Sequence, residues 1–406
     1  MSARIQKTDK QILTILKEVI VQHGNLTLRA YNKLKHPRKP DFKTLYNRFG
    51  SFDEAKAKAL GGSVEALSIK DLTETNKRLH KELDKQRNRN HIFISNCMAE
   101  ILKIDFKPVK IPKPEKESHA EEFHLMKSDD QVGEKVDSEF VQGVSSYNID
   151  SFIERMNRLT EKVILFRDQD KASLGLNKLV IYMLGDHVDG ETIYKGQPFF
   201  IDAIAADQLM ICFQTYVKCL LVLCEHFPEI EVFCVWGNHG RPGRKGENHP
   251  RTNYDFLLFR MLQETFALRQ KNIKFYVSKS PTMLVQNGKF NFALNHFDSV
   301  PAWNGIPYYG LDRMARRLSD LYNVRIHFKL GGHFHVPSNL GDEILINGTM
   351  VGGSVLSVNK MWVTSRPSQK IFYFNKNYGI HRETNLHLAD PMTLTVDENG
   401  IYTAYE

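Results

Sequence analysis

The spacing of hydrophobic positions changes character near residue 120. Over the first sixty residues, apolar side chains recur at helical intervals in short runs, each opened by a capping residue. Thr8 and Gln11 form a capping box before Ile12, Ile15, Leu16, Val19 and Ile20, and Gly24 ends that run. Thr27 precedes Leu28, Tyr31 and Leu34, and Pro37 and Pro40 break the chain. Asp41 opens a run through Leu45 and Phe49, Gly50 stops it, and Ser51 with Glu54 forms a second box. Residues 69–103 continue as a long polar helix. Its Leu72, Asn76, Leu79, Leu83, Gln86, Asn90 and Phe93 step by fours and threes, the spacing of a coiled-coil seam. Such a seam suits a homodimer through the 69–103 helix or packing on the chain's own domain. Lys107 to Glu117 has the Pro- and Lys-rich composition of an extended linker.

Beyond residue 120, short apolar runs alternate with helical ones, which predicts a layered α/β domain. Strands are expected at 122–127, 179–184, 232–236, 326–330, 344–346, 371–374 and 386–388. A hairpin is expected from 283–286 and 290–294 around Asn287-Gly288. Helices are expected at 149–166, 203–224 and 311–322. The chain therefore divides into a small all-α, helix-turn-helix-like module (1–61), a helical and Pro/Lys-rich linker (62–117), and an α/β domain (118–406).

Composition and charge narrow this picture. The polar, charged first residues and the lack of an apolar run near 20 residues predict a cytoplasmic protein with no membrane partner. The five cysteines form no C-x-x-C pair and sit mostly in apolar stretches, so buried free thiols are expected. Residues 1–60 carry 13 Lys or Arg against 5 Asp or Glu, while the other 346 residues carry 42 of each. The whole basic excess lies at the front, where it favours an acidic partner, DNA foremost.

The candidate chemistry lies in five clusters: Asp129-Asp130-Gln131, Gly185-Asp186-His187-Val188-Asp189-Gly190, Gly237-Asn238-His239, Asn295-His296 and Gly332-His333-Phe334-His335. Each follows an apolar run. Oxygen and imidazole donors on adjacent strand ends suit hard or borderline divalent cations.

Two resemblances follow from these residues. Asp41 to Gly61 resembles the homing-endonuclease-associated repeat, through Arg48-Phe49-Gly50-Ser51-Phe52 and then Glu54 and Ala55. It implies a helix that presents Lys43, Thr44, Asn47 and Arg48 to DNA. The five clusters in order resemble the calcineurin-like metallophosphoesterases. That resemblance implies mixed β-sheets flanked by helices and two divalent ions, taken as Mn²⁺, with Mg²⁺, Zn²⁺ and Fe²⁺ also suited. It implies that Asp129, Gln131 and His335 ligate the first ion, that Asp186 bridges, and that Asn238, His296 and His333 ligate the second. His239 would stabilise or protonate the leaving group while a hydroxide bridging the ions attacks phosphorus. Asp189 would orient a ligand or loop, and Arg241 and Arg244 would contact phosphate. His187 falls at a variable position and is expected to be structural.

Two departures stand out. Gln131 replaces a His, and Gly240 stands where Asp or Glu usually follows the third cluster, so Asp298 is the expected substitute for steering His239. The second cluster lacks the Arg of the protein-phosphatase branch. The stretches Gly185 to Gln197 and Asn238 to Tyr254 resemble phosphoesterases encoded by bacteriophages, nearest the DNA-repair nuclease branch. The implied setting is a bacterial or phage-infected bacterial cell. The expected function is a two-metal phosphoesterase acting on DNA, as a nuclease or a DNA-end phosphatase. The alternatives are a DNA- or partner-binding protein with a degenerate metal site, and a phosphatase on a small-molecule or protein substrate.

Overall fold

The computed structural model describes residues 8–23, 27–34, 39–61, parts of 74–114, 121–301, 307–361, 364–390, 395–396, 400 and 402–403. Two compact units emerge, Met1–Ser95 and Asn96–Glu406. The sequence divides the chain at 61 and 117 instead.

The first unit contains α1 (Asp9–His23), α2 (Leu28–Lys33), α3 (Phe42–Phe49) and α4 (Phe52–Leu60). Its caps follow from local chemistry. Thr8 N–H donates to Gln11 Oε1 at 2.9 Å and Gln11 N–H returns to Thr8 Oγ1 at 3.4 Å. Asp41 accepts from Thr44 N–H at 2.8 Å, and Ser51 from Glu54 N–H at 3.1 Å. Each bond satisfies a backbone donor that an isolated helix start leaves open. The four apolar stripes close on Leu16, Val19, Tyr31, Leu45, Phe49, Phe52 and Ala55. On α3, Lys43 and Asn47 are exposed, and Arg48 bridges to Asp9 at 2.7 Å. Residues 74–82 are helical, with Asn76 and Leu79 exposed; Leu72, Leu83, Gln86, Asn90 and Phe93 lie outside the described residues.

The linker is not free at its described start. Phe106 meets Phe266 edge-on at 5.2 Å, and Val109 N–H donates to Gln270 Oε1 at 3.1 Å. Residues 115–117 lie outside the described residues.

The second unit is a four-layer stack of helices, sheet, sheet and helix. One sheet runs β11–β10–β1–β2–β3–β4. Its members are β1 (Glu122–Lys127), β2 (Lys178–Met183), β3 (Glu229–Cys234), β4 (Ile273–Val277), β10 (Ser368–Asn375) and β11 (Gly379–His387). β1 to β4 are parallel, whereas β10 pairs antiparallel with both β1 and β11. The other sheet runs β5–β6–β7–β9–β8, from β5 (Thr282–Asn287), β6 (Phe290–Asn295), β7 (Phe328–Gly331), β8 (Ser338–Leu340) and β9 (Ile344–Ile346). This is the layered arrangement of mixed sheets flanked by helices expected from the clusters.

Period-two alternation sorts the core. Met126, Val180, Tyr182, Phe233 and Phe372 meet Phe292, Leu294, Phe328 and Leu330 between the sheets. On the other face, Leu125, Ile181 and Met183 pack against α5 (Ile149–Leu174) and α6 (Ala205–His226). The second sheet's far face is covered by α8 (Tyr308–Tyr322) through Leu311, with Phe297, Ile344 and Ile346. The apolarity of α6 has a structural cause. The helix has 22 residues, and an 18-residue stretch of it has a mean hydropathy of 1.3, so by length and composition it could cross a membrane, contrary to the expectation of no such run. Its Leu209, Phe213, Leu220 and Cys224 are buried in this unit, as are Cys212, Cys219 and Cys234, all free thiols. Three of these elements were not expected: α7 (Tyr254–Ala267), the strand β4 that pairs with β3, and the strand β8 that pairs with β9.

Candidate metal centre

The five clusters meet at one end of the two sheets, in the turns after β1, β2, β3, β6 and β7. Backbone geometry marks the same residues. Of nine described non-glycine residues at positive φ, five are expected ligands: Asp129 (53°), Gln131 (45°), Asp186 (57°), His333 (73°) and His335 (61°). Such left-handed conformations are costly for most side chains and concentrate where a side chain must be aimed. Gly185 (φ 92°) solves a second constraint, because a Cβ there would strike the backbone of Gly237. The second and third clusters therefore touch main chain to main chain.

Three of the residues expected to hold the second ion converge. Ligand atoms of Asp186, His296 and His333 all lie within 4.8 Å of one another. His296 Nδ1–H donates to Leu184 O at 2.8 Å, which fixes the tautomer and aims Nε2 at Asp186 Oδ2, 2.7 Å away. Asn238 Oδ1 is buried without a hydrogen-bond partner among the described residues. A buried amide oxygen left open costs about 1–3 kcal/mol unless something else coordinates it, so its state fits a cation ligand.

The residues expected to hold the first ion are arranged more loosely. His335 Nε2 stands 3.4 Å from Asp129 Oδ1, and His333 N–H donates to the same oxygen at 3.0 Å. Gln131 places Nε2 at 3.2 Å from His239 Nε2 and 3.4 Å from His335 Nε2, leaving Oε1 buried and without a partner among the described residues. Rotating the amide half a turn would present that oxygen to the imidazoles and to a cation beside them. The donor set on both sides thus fits divalent cations, with the amide the weakest donor.

Electrostatics support charge in this cleft. Burial works against ionised Asp129 and Asp186, but neighbouring imidazoles override it, His335 for Asp129 and His296 with His239 for Asp186. Both carboxyls stay below the usual range. Burial likewise opposes His296 and His239, yet Asp186 lifts them to about 10 and about 9. His333, by contrast, is pushed down to about 4 by burial and by His296.

Asp189, not Asp298, steers His239: Asp189 Oδ1 lies 2.6 Å from His239 Nδ1. Asp298 instead faces Lys245 at 3.7 Å. The reason is steric, since a Cβ at Gly240 would run into the Asn253 amide oxygen. The carboxylate must therefore come from another loop. Asp189 is itself held by Gln197 Nε2 at 2.9 Å. Arg241 is half-buried with Nε unpartnered among the described residues, and Arg244 is exposed. His187 is structural as expected, at 2.7 Å from Asp130 with Tyr216 above.

The sequence did not single out Asp255. Its buried carboxylate accepts from the backbone N–H groups of Asp186 (2.8 Å), Gly237 (2.9 Å), His187 (3.0 Å) and Val188 (3.2 Å). One side chain at the start of α7 thus ties two ligand loops together. Glu134 was also missed. Burial, and then Asp189, raise its carboxyl to about 7 beside His239 and His335.

No protein-family model and no curated protein matches the chain. Solved structures give distant likenesses. A Vps29 variant from Entamoeba histolytica is 12% identical over 65% of this chain and 98% of its own, with a TM-score of 0.28. A Streptococcus pneumoniae protein titled a predicted phosphoesterase is 13% identical over 66% and 99%, with a TM-score of 0.24. A phosphopantetheinyl hydrolase from Mycobacterium tuberculosis is 11% identical over 56% and 89%, with a TM-score of 0.23.

Proposed function

We propose that the chain is a metal-dependent phosphoesterase acting on DNA, cleaving phosphodiesters or removing terminal phosphates. The observation that supports it most is the open amide oxygen of Asn238, buried beside the clustered Asp186, His296 and His333. In this reading Asp129, Gln131 and His335 would hold one divalent ion, Asn238, His296 and His333 would hold another, and Asp186 would contribute to both. Such ions, Mn²⁺ first among them, supply Lewis acidity toward a phosphoryl oxygen and toward water.

The remaining work falls to side chains. Asp189 keeps the His239 proton on Nδ1 and stabilises the imidazolium. That cation faces the cleft through Nε2, where it donates to a phosphoryl or leaving oxygen. Arg241 and Arg244, on the loop after His239, add positive charge for flanking phosphates. The choice of DNA rests on the basic front of the chain, with Lys43 and Asn47 exposed on α3.

End-labelled single- and double-stranded DNA should be cleaved with Mn²⁺, Mg²⁺ or Zn²⁺, and cleavage should vanish in Asp186→Ala and His239→Ala. Hydrolysis of bis-(p-nitrophenyl) phosphate without any DNA cleavage would remove DNA from the proposal. Absence of both activities with every metal would favour a binding protein with a degenerate site, the reading that Gln131 motivates.

A further inference from the structure

Just past His296, the segment Ser299 to Pro301 and one face of α8 enclose a groove of about 520 Å³. Tyr309, Arg313, Arg317 and Leu321 recur every four residues, so they form one stripe along the helix. The stripe spans about 18 Å at 1.5 Å per residue. Arg313 and Arg317 are exposed and have no ion-pair partner among the described residues, whereas the neighbouring Arg316 pairs with Asp312 at 3.0 Å. No carboxylate lines the groove among the described residues. Tyr309 is 75% exposed at the end of the stripe. Lys245, on the loop after His239, lies 3.7 Å from Asp298, the residue before Ser299.

We propose that this groove carries one strand of nucleic acid to the metal centre, the guanidiniums of Arg313 and Arg317 meeting successive phosphates and Tyr309 stacking on a base. Two cations on consecutive helical turns match an extended polyanion better than a single compact anion. An exposed aromatic ring at the end of such a track is a sequence-tolerant base platform. One wall of the groove, Ser299 to Pro301, belongs to the turn that follows His296, where Val300 N–H donates to Phe297 O at 3.0 Å. This inference rests on the DNA reading above and extends it, because the strand path lies on the α/β unit itself, apart from the basic helices at the front.

The test compares the full chain, Arg313→Glu/Arg317→Glu, Tyr309→Ala and the charge control Lys271→Glu/Lys274→Glu, whose lysines are exposed near and on β4. A fluorescein-labelled single-stranded oligonucleotide is titrated by anisotropy across a salt series, and its cleavage is followed in parallel. The arginine variant should bind about tenfold or more weakly, and its log–log salt slope should shrink by roughly 1.4, two single-strand phosphate contacts. Tyr309→Ala should lose several-fold with an unchanged slope, and the control should stay within twofold. Binding and slope unchanged in the arginine variant would overturn the groove even if DNA cleavage is established. A tight oligonucleotide complex that weakens in the arginine variant, without cleavage by any chain, would keep the groove and sink the nuclease reading. A change in self-association instead of strand binding would assign the face to a protein partner and overturn the proposal.

Discussion

Asp255→Asn should uncouple the two halves of the ligand set. The Asp255 carboxylate is fully buried, and Oδ2 accepts from Asp186 and Gly237 while Oδ1 accepts from His187 and Val188. Asparagine keeps one oxygen and turns an NH₂ group toward two N–H donors. At about 1.5–3 kcal/mol for each bond to a charged acceptor, losing two costs about 3–6 kcal/mol. That is a large share of the roughly 5–15 kcal/mol that holds a domain together. The three tryptophans all belong to residues 96–406, so their fluorescence reports this unit alone. Urea titration should show a loss of unfolding free energy of that size, and divalent-ion affinity should fall with it, because Asp186 and Asn238 sit on the two loops that Asp255 joins. A variant that unfolds within about 0.5 kcal/mol of the parent and binds metal within twofold would refute the reasoning. The four bonds would then be geometric coincidence.

Further outcomes follow from the same geometry. Asp189→Asn removes one of the two aspartates that raise His239, so the imidazole, held at about 9 in the parent by Asp186 and then Asp189, should titrate lower in the metal-free protein. Ring-proton NMR reads that shift, and phosphodiester hydrolysis should fall about 100-fold. His296 is raised to about 10, above its unfolded value of about 6.5, so its charged pairing with Asp186 stabilises fully below about pH 6.5 and is lost as pH rises through 10. In chelator, the melting temperature of the parent minus that of His296→Gln should therefore shrink steadily from pH 7 to 10. Equal differences at both ends would contradict the pairing. Gln131→His supplies an imidazole where an amide now stands, at a φ of 45° that His tolerates better than most residues. Metal analysis after dialysis should show greater occupancy of the first site, and unchanged stoichiometry would mean that Gln131 is not at a ligand position.

The sequence was most legible where structure is local. The caps at Thr8, Asp41 and Ser51 are bonds between residues three apart, so residue type and spacing suffice. The five clusters were legible for a related reason, since each is a polar turn directly after an apolar strand. The ends of strands were less so: Val235 and Trp236 extend the apolar run of β3, but they are buried in the turn beyond its last paired residue, Cys234. Long-range partners were not legible at all. Asp255 lies 69 residues from Asp186, and nothing in its neighbourhood distinguishes a helix-start carboxylate that braces loops from one that caps its own helix. The same limit explains Asp298. It lies close to His296 in sequence, but Asn253 crowds Gly240 and Asp189 approaches His239 from the second cluster. β4 went unseen because its residues alternate between buried and exposed on an edge, without the continuous apolar run of β2.

The strained backbone bears on how the centre is assembled. Five ligand-type residues in left-handed conformations cost on the order of 1–3 kcal/mol each. A site that formed only on metal binding would have no means of holding them there beforehand. Here the opposing bonds come from the chain. Asp186 N–H is bound by Asp255, Asp129 is held through its carbonyl by Thr349 Oγ1 at 3.0 Å and Met350 N–H at 3.0 Å, and His335 O accepts from Ser365 Oγ at 2.7 Å. Each anchor comes from an element remote in sequence, so closure of the whole α/β unit sets the ligand positions. It follows that removing metal should leave the unit folded with its ligands in place, whereas breaking one anchor should disturb metal binding without touching a ligand. On the proposed reading, preorganisation of that kind would favour a centre whose ions can exchange, and it would make the amide of Gln131, rather than the scaffold, the element that limits occupancy of the first site.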